Sequence, residues 1–356
     1  MTIHTPVPMP PSDLRLPRHC SFEADDWHIL ARHWYPVARC EDVHEKGLVA
    51  ARLLDEPLVV YRSGHEIVVA KDICPHRGVP LTKGSNEDGS GVACSYHGLR
   101  FGGAGKCVHV PAHPDNKIPA KFNLATYPVA LRYGLVWTCL RPSASSDGPT
   151  IPEMAGWDEQ GFQRIVCPWI DVLGFAGRQI EGFLDVAHFG FVHADTFGDP
   201  DNVVVPPYDV CTTLSGFDAI YDSTVANYPI GNVGRDRPGF LWRRHFKVHL
   251  PFVATLEVRY PEDGRLVIMN AASPASARVT RLFCPMARNF DTDLPVQDVY
   301  DFNRRVFEED KHIVESQMPE HLPLDPTLEA HIPADRSSIA YRRGLKGMGL
   351  GQFFVA

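Results

Sequence analysis

The chain has 356 residues, 44% of them hydrophobic and 22% charged, with a formal net charge of −8. That acidic, well-mixed surface argues against nucleic acid as the main partner, and no stretch approaches the roughly 20 apolar residues of a membrane span. At about 150 residues per domain the length predicts two domains.

Met1 to Arg18 contains five prolines and no apolar core, which predicts an extended tail rather than a signal peptide. Trp27 to Val37 reads as a short helix running into a strand. From Leu48 the pattern changes to short β-type runs: Leu48-Val-Ala, Pro57 to Tyr61, Glu66 to Ala70 and finally Arg132 to Thr138. Gly, Pro, Asn and Asp clusters punctuate them. The Ser-, Gly- and Pro-rich stretch between Leu140 and Pro152 sets the boundary, giving domains 1–145 and 146–356. In the second, Gln179 to Val192 predicts a helix. Strands follow around Cys211–Leu214, Trp242–His249, Ala254–Tyr260 and Arg265–Asn270. A last clear helix spans Val299 to Met318, with Phe302, Val306, Phe307, Ile313 and Val314 as its apolar stripe. The glycines at 102–106 and 347–351 lack the residues and context of nucleotide-binding loops, so neither NAD nor flavin is expected on this chain.

Two short pairs carry the chemistry. Cys74-Pro-His76 and Cys94-Ser-Tyr-His97, seventeen residues apart, each deliver one thiolate and one imidazole from a loop tip. A zinc site more often takes two cysteines from one turn and two histidines from another. One of each per turn suits a [2Fe-2S] cluster with two histidines on one iron. The other seven cysteines show no framework spacing, which predicts reduced thiols and a cytoplasmic protein.

A second group lies in Glu181-Gly-Phe-Leu-Asp185-Val-Ala-His188-Phe-Gly-Phe-Val-His193. Two histidines and a carboxylate with open positions make the facial triad of non-haem Fe(II). Five helical steps place His188 and His193 on different faces, so a π-type widening or a helix end near Gly190 is required. Taken alone, two histidines in such a helix are more often core residues than ligands.

The flanking residues Cys74-Pro-His-Arg-Gly-Val-Pro80 and Cys94-Ser-Tyr-His-Gly-Leu-Arg-Phe101 closely resemble the two Rieske cluster loops. With Asp-x-x-His-x4-His downstream, the chain resembles the terminal oxygenase α subunits of the Rieske non-haem iron oxygenases. The branch is that of vanillate, dicamba and caffeine demethylases, toluenesulfonate methyl-monooxygenase and phthalate dioxygenase. The resemblance runs from Trp34-Tyr-Pro to Ala334-Asp-Arg-Ser-Ser-Ile-Ala-Tyr-Arg342. It implies an α+β chain: an all-β Rieske domain, then a catalytic domain with an antiparallel sheet flanked by helices.

The resemblance also assigns residues. Cys74, His76, Cys94 and His97 hold the cluster. His188, His193 and Asp310 hold the iron, Asp310 through the pattern Phe307-Glu-Glu-Asp310…Glu315-Ser-Gln317. Spacing alone does not choose among Glu308, Glu309 and Asp310. Asp185 matches the carboxylate that joins His97 of one subunit to His188 of the next in a head-to-tail homotrimer. Gly182 and Leu99 depart from the commoner Asn and Trp of relatives.

The implied activity is monooxygenation of a small aromatic or heteroaromatic substrate: O- or N-dealkylation, or methyl hydroxylation. O2 is the oxidant, and electrons come from NAD(P)H through a separate reductase or ferredoxin. Ring dihydroxylation of a carboxylated aromatic is the alternative, and a Rieske electron carrier the remote one. Phe189, Tyr228, Trp242, His245 and Phe246 are candidate pocket residues, with Arg243, Arg244 and Arg278 as unranked carboxylate partners.

Overall fold

Apolar alternation from Leu48 onward builds the first half from strands, and a computed structural model describes residues 15–143, 148–225 and 239–351. The chain divides into two compact units, Met1–Ile151 and Pro152–Ala356. The first begins with helix α1 (Ala24–Leu30), strand β1 (Tyr35–Arg39) and a short helix α2 (Cys40–Lys46) that periodicity did not predict. Strands β2 (Leu48–Leu53), β3 (Glu56–Ser63) and β4 (Glu66–Lys71) follow as antiparallel neighbours. The pairing Leu53↔Glu56 leaves only Leu54-Asp55 in the turn, at φ 49° and 66°. Left-handed backbone at both positions suits the twist of the strands. Asp55 is held there by Ser21, whose N and Oγ donate to its Oδ2 at 2.8 and 2.7 Å.

Strands β5 (Val92–Ala93), β6 (Arg100–Phe101) and β7 (Cys107–His109) form a small sheet, and β8 (Thr126–Tyr127) extends the first one beside β4. The single strand expected over 132–138 is instead a hairpin. Tyr133 and Gly134 take φ 57° and 70°, turning β9 (Val129–Arg132) back into β10 (Leu135–Thr138). Val59, Tyr61, Val68 and Ala70 pack with Leu81, Val92, Leu99 and Phe101 into one core that includes Cys74 and Cys94. Leu99 fills its place there at 3% exposure.

The second unit is built on a nine-stranded antiparallel sheet. Its strands are β11 (Gln163–Val166), β12 (Ile170–Val172), β13 (Asp209–Thr212), β14 (Gly216–Ser223) and β15 (Trp242–His249). They continue as β16 (Val253–Arg259), β17 (Arg265–Ser276), β18 (Val279–Phe283) and β19 (Pro285–Arg288). The order is β11-β19-β17-β16-β15-β14-β13, with β12 and β18 branching from β17. Helix α3 (Ala176–Leu184) lies on this sheet, with Phe175 edge-on to Phe252 and Phe183 edge-on to Phe246 at 5.5 and 6.0 Å. Helix α4 (Phe189–Val192) is a single turn, α5 (Gln297–Ser316) is the long late helix, and α6 (Arg336–Gly347) closes the unit. Phe307 and Val314 of the predicted stripe are buried, whereas Ile313 is 47% exposed. The stripe is therefore narrower than the apolar pattern suggested.

A buried charge cluster ties α3 to α6. Arg342 donates to both oxygens of Glu181, at 2.6 and 2.9 Å, and to Glu329 at 2.6 Å. Arg178 reaches Glu329 at 2.8 Å. Burial would raise the Glu329 carboxyl, but Arg178 and Arg342 bring it below its ordinary value. A carboxyl depressed in the folded state stabilises above its unfolded pKa, and the contribution fades as pH falls through the folded one. Arg342→Met leaves Glu181 buried without its main partner, at a cost of about 3–5 kcal/mol. The expected result is a lower denaturant midpoint at pH 7, with a smaller gap from the parent below about pH 4. Equal midpoints at pH 7 would show that the cluster contributes nothing to stability.

Candidate metal centres and cavity

The two cysteine-histidine loops are one turn built twice. Cys74 N donates to Val79 O at 2.8 Å and Gly78 N to Cys74 O at 2.9 Å; Cys94, Leu99 and Gly98 repeat both bonds at 2.9 and 3.0 Å. Gly78 and Gly98 sit at φ 72° and 69°, a conformation that a Cβ disfavours. The two thiols lie within interaction range. Burial pushes the Cys74 thiol up, and Cys94 adds to that. The rings of His76 and His97 are 4.5 Å apart, and His76 Nδ1 is buried with no hydrogen-bond partner. Two thiols, two imidazoles and a buried ring nitrogen without a protein partner fit an unequally ligated [2Fe-2S] pair. Tyr96 lies over His97, centroids 3.9 Å apart.

The second group forms because the expected helix over Gln179–Val192 is broken. Helix α3 stops at Leu184, and Asp185 leaves it in an extended conformation. Asp185 Oδ1 accepts the Ala187 N–H at 2.7 Å, so His188 opens α4 and His193 closes it. The helix end that the spacing requires is present two residues past Gly190: α4 stops at Val192 and His193 lies outside it, with no π-widening. Ligand atoms of His188, His193 and Asp310 all lie within 4.8 Å of one another. His188 Nε2 is 3.1 Å from His193 Nε2, and Asp310 Oδ1 is 3.5 and 3.1 Å from the two.

Each imidazole is also held from behind. Asp185 Oδ2 is 3.3 Å from His188 Nδ1. Glu309 Oε2 is 2.7 Å from His193 Nδ1, and Thr196 Oγ1 donates to that same oxygen at 2.8 Å. A carboxylate on Nδ1 turns Nε2 forward and raises its basicity. Burial lowers the His188 pKa, but Asp185 and Asp310 outweigh it and raise it to about 9. Burial would raise Asp310, while His188 and His193 bring it below its ordinary value. The three consecutive acids thus diverge. Asp310 enters the cluster, Glu309 stands behind His193, and Glu308 is on the surface 3.9 Å from Lys311. Glu315 accepts the Leu173 N–H at 2.8 Å, away from this group. Two Nε2 atoms and one carboxylate oxygen on one side fit a non-haem Fe(II).

Residues 33–128 match the Rieske [2Fe-2S] domain, and residues 176–350 match the vanillate O-demethylase oxygenase C-terminal domain. The chain is 32% identical to methylxanthine N1-demethylase NdmA of Pseudomonas putida over 335 residues, 90% of each chain. The chain belongs to the Rieske non-haem iron oxygenases. The solved structure of NdmA with caffeine superposes with a TM-score of 0.77 at 30% identity, covering 90% of this chain and 92% of that one. Dicamba O-demethylase of Stenotrophomonas maltophilia is 35% identical over 168 residues, 45% of this chain and 46% of that one.

In this Rieske oxygenase, a cavity of about 280 Å³ opens beside His188, His193 and Asp310. Its walls are apolar, with Phe183, Phe189, Leu256 and Phe302 among them. Gly182 lines it too, and a Cβ there would meet only Val314, at 3.8 Å. Of the candidates named from sequence, Phe189 lines the cavity. Trp242 is core, edge-on to Tyr260 at 5.0 Å, and Phe246 is buried under Phe183. His245 instead pairs with Asp218 at 2.9 Å, and Tyr228 lies outside the described residues. The three arginines are engaged elsewhere: Arg243 with Asp222, Arg278 with Glu320, and Arg244 buried against Phe189. The polar side chains that do line the cavity include Arg288 and Asn303. Both were missed because their neighbours in sequence carry no motif. Strand alternation through β19 was the available signal for Arg288.

Glu309→Gln is expected to weaken binding of Co(II), a spectroscopic stand-in for Fe(II), by about 10–100-fold. Glu308→Gln should leave it unchanged. Equal behaviour of the two variants would detach Glu309 from the site.

Proposed function

We propose that the chain is a terminal oxygenase that removes alkyl groups from nitrogen or oxygen of small heteroaromatic or aromatic molecules. The observation that carries this reading is the His188, His193 and Asp310 triad opening on an apolar-walled cavity of ring-sized volume. Two relatives support it by name, one a methylxanthine N1-demethylase and one a dicamba O-demethylase. Cys74, His76, Cys94 and His97 hold the cluster, within the domain 1–145. His188, His193 and Asp310 hold the iron, within 146–356. Bound there, the cluster relays single electrons and the iron activates O2 beside the substrate.

The chain's own residues position the reaction. The aromatic walls clasp a flat ring and exclude water. Gly182 leaves space in the cavity wall. Asp185 and Glu309 hold the two imidazole Nδ1 positions, so both rings keep their orientation through turnover. Net, O2, two electrons and two protons convert an N- or O-methyl group into a hydroxymethyl group and water. That product loses formaldehyde and leaves N–H or O–H.

The two electrons come from outside the chain, so a separate reductase or ferredoxin completes the system. A head-to-tail homotrimer would bring His97 of one copy to Asp185 of the next. The Asp185 carboxylate is 34% exposed in the single chain, which leaves it open to such a contact.

Two outcomes test this. Asp185→Asn is expected to keep both metal centres and lose turnover; near-parental activity would remove the bridging role. A reductase-coupled screen of N-methyl and methoxy aromatics should release one formaldehyde per O2 consumed on a true substrate. Products carrying two oxygen atoms from O2 would point to ring dihydroxylation instead.

A further inference from the structure

Asn270 is completely buried, yet neither its Oδ1 nor its Nδ2 has a hydrogen-bond partner. Buried amides are almost always paired, so two orphaned atoms on one residue need a reason. Its place in the sheet supplies one. On β17, Leu266 and Ile268 line the substrate cavity, and alternation puts Asn270 on the same face, one step further in. The flanking strands agree. Leu256, opposite Ile268, lines the cavity, and Ala254, opposite Asn270, is the next residue on that face. On the other side Met286 lines the cavity opposite Ile268, and the same register brings Cys284 beside Asn270. The Cys284 thiol donates at 3.8 Å to Asn303, itself a lining residue. By this register Asn270 is the next residue inward on the face whose neighbours line the cavity, buried opposite Ala254 and beside Cys284.

We propose that Asn270 is a specificity-determining residue whose amide reads a lactam edge of the substrate, a ring carbonyl beside an N–H. This deepens the dealkylation reading above and rests on it. A carboxamide presents a donor and an acceptor side by side in one plane, the pairing by which asparagine recognises an adenine edge. A ring carbonyl and the adjoining N–H satisfy both atoms at once. Alkylating that nitrogen removes the donor and adds a methyl group where the amide stands. A purely apolar ring leaves the amide unpaired and is rejected by the same margin. The substrate class is therefore heterocycles that carry an N- or O-alkyl group for the iron and keep one lactam unalkylated.

The amide brings the fold nothing that leucine, of similar volume, would not provide better. Removing both orphaned atoms should hold or raise stability, the pattern of a residue kept for function.

The test is calorimetric binding to the full-length, iron-loaded protein without reductase. Two probe pairs differ only by a methyl group on the lactam nitrogen: theobromine against caffeine, and 2-pyridone against N-methyl-2-pyridone. The wild type is expected to prefer the unmethylated member of at least one pair by about tenfold or more. Asn270→Leu should abolish that preference at an unchanged or higher Tm; if its iron content falls, Asn270→Ala gives the same reading. No preference in the wild type for either pair, or one that survives both substitutions, overturns the proposal. Selective binding without aldehyde release in the coupled assay would sink the dealkylation reading and leave this subsite standing. Aldehyde release without any binding preference would do the reverse.

Discussion

An imidazole can serve a metal well only if its second nitrogen is held. In this chain that constraint shapes the local backbone. His188 and His193 cannot share a face of a continuous helix; α3 ends at Leu184, and the separate turn α4 ends at Val192 with His193 outside it. Asp185 makes the break, accepting the Ala187 N–H with one oxygen and facing His188 Nδ1 with the other. On the opposite side, Glu309 and Thr196 fix His193 from behind. Without those holders the two Nε2 atoms would have no reason to converge on Asp310.

The rest of the second unit supports this arrangement. The sheet provides a floor, with Leu256 of β16 and Leu266 and Ile268 of β17 lining the cavity. The Arg342–Glu181 clamp anchors α3 just before it breaks. The segment ending at Arg342, noticed in the sequence only through resemblance, thereby acquires a physical role. It supplies the cation that a buried Glu181 requires.

Much of the site is legible in the sequence alone. The two cluster loops declare themselves because close spacing of Cys and His has few other uses, and their glycines mark left-handed turns. The triad was harder to read. Periodicity reports a helix through 179–192 because Asp185, Val186 and Ala187 are compatible with one, and a break made by a side-chain hydrogen bond leaves no periodic trace. Glu309 and Asp310 are indistinguishable by composition, and only the packing of α5 sends Asp310 between the two imidazoles and Glu309 behind His193. Pocket residues failed for a similar reason. Trp242 and Phe246 are apolar enough to line a cavity or a core, while Asn303 and Arg288 belong to no motif.

One chain here unites a Rieske cluster domain with a candidate mononuclear iron site. The most direct test is iron and sulfide content, with an EPR spectrum, of the anaerobically purified and dithionite-reduced protein. About three irons and two sulfides per chain are expected, with a Rieske-type signal. About two irons, persisting after reconstitution with Fe(II), would contradict the mononuclear site and leave an electron carrier with an unused second domain.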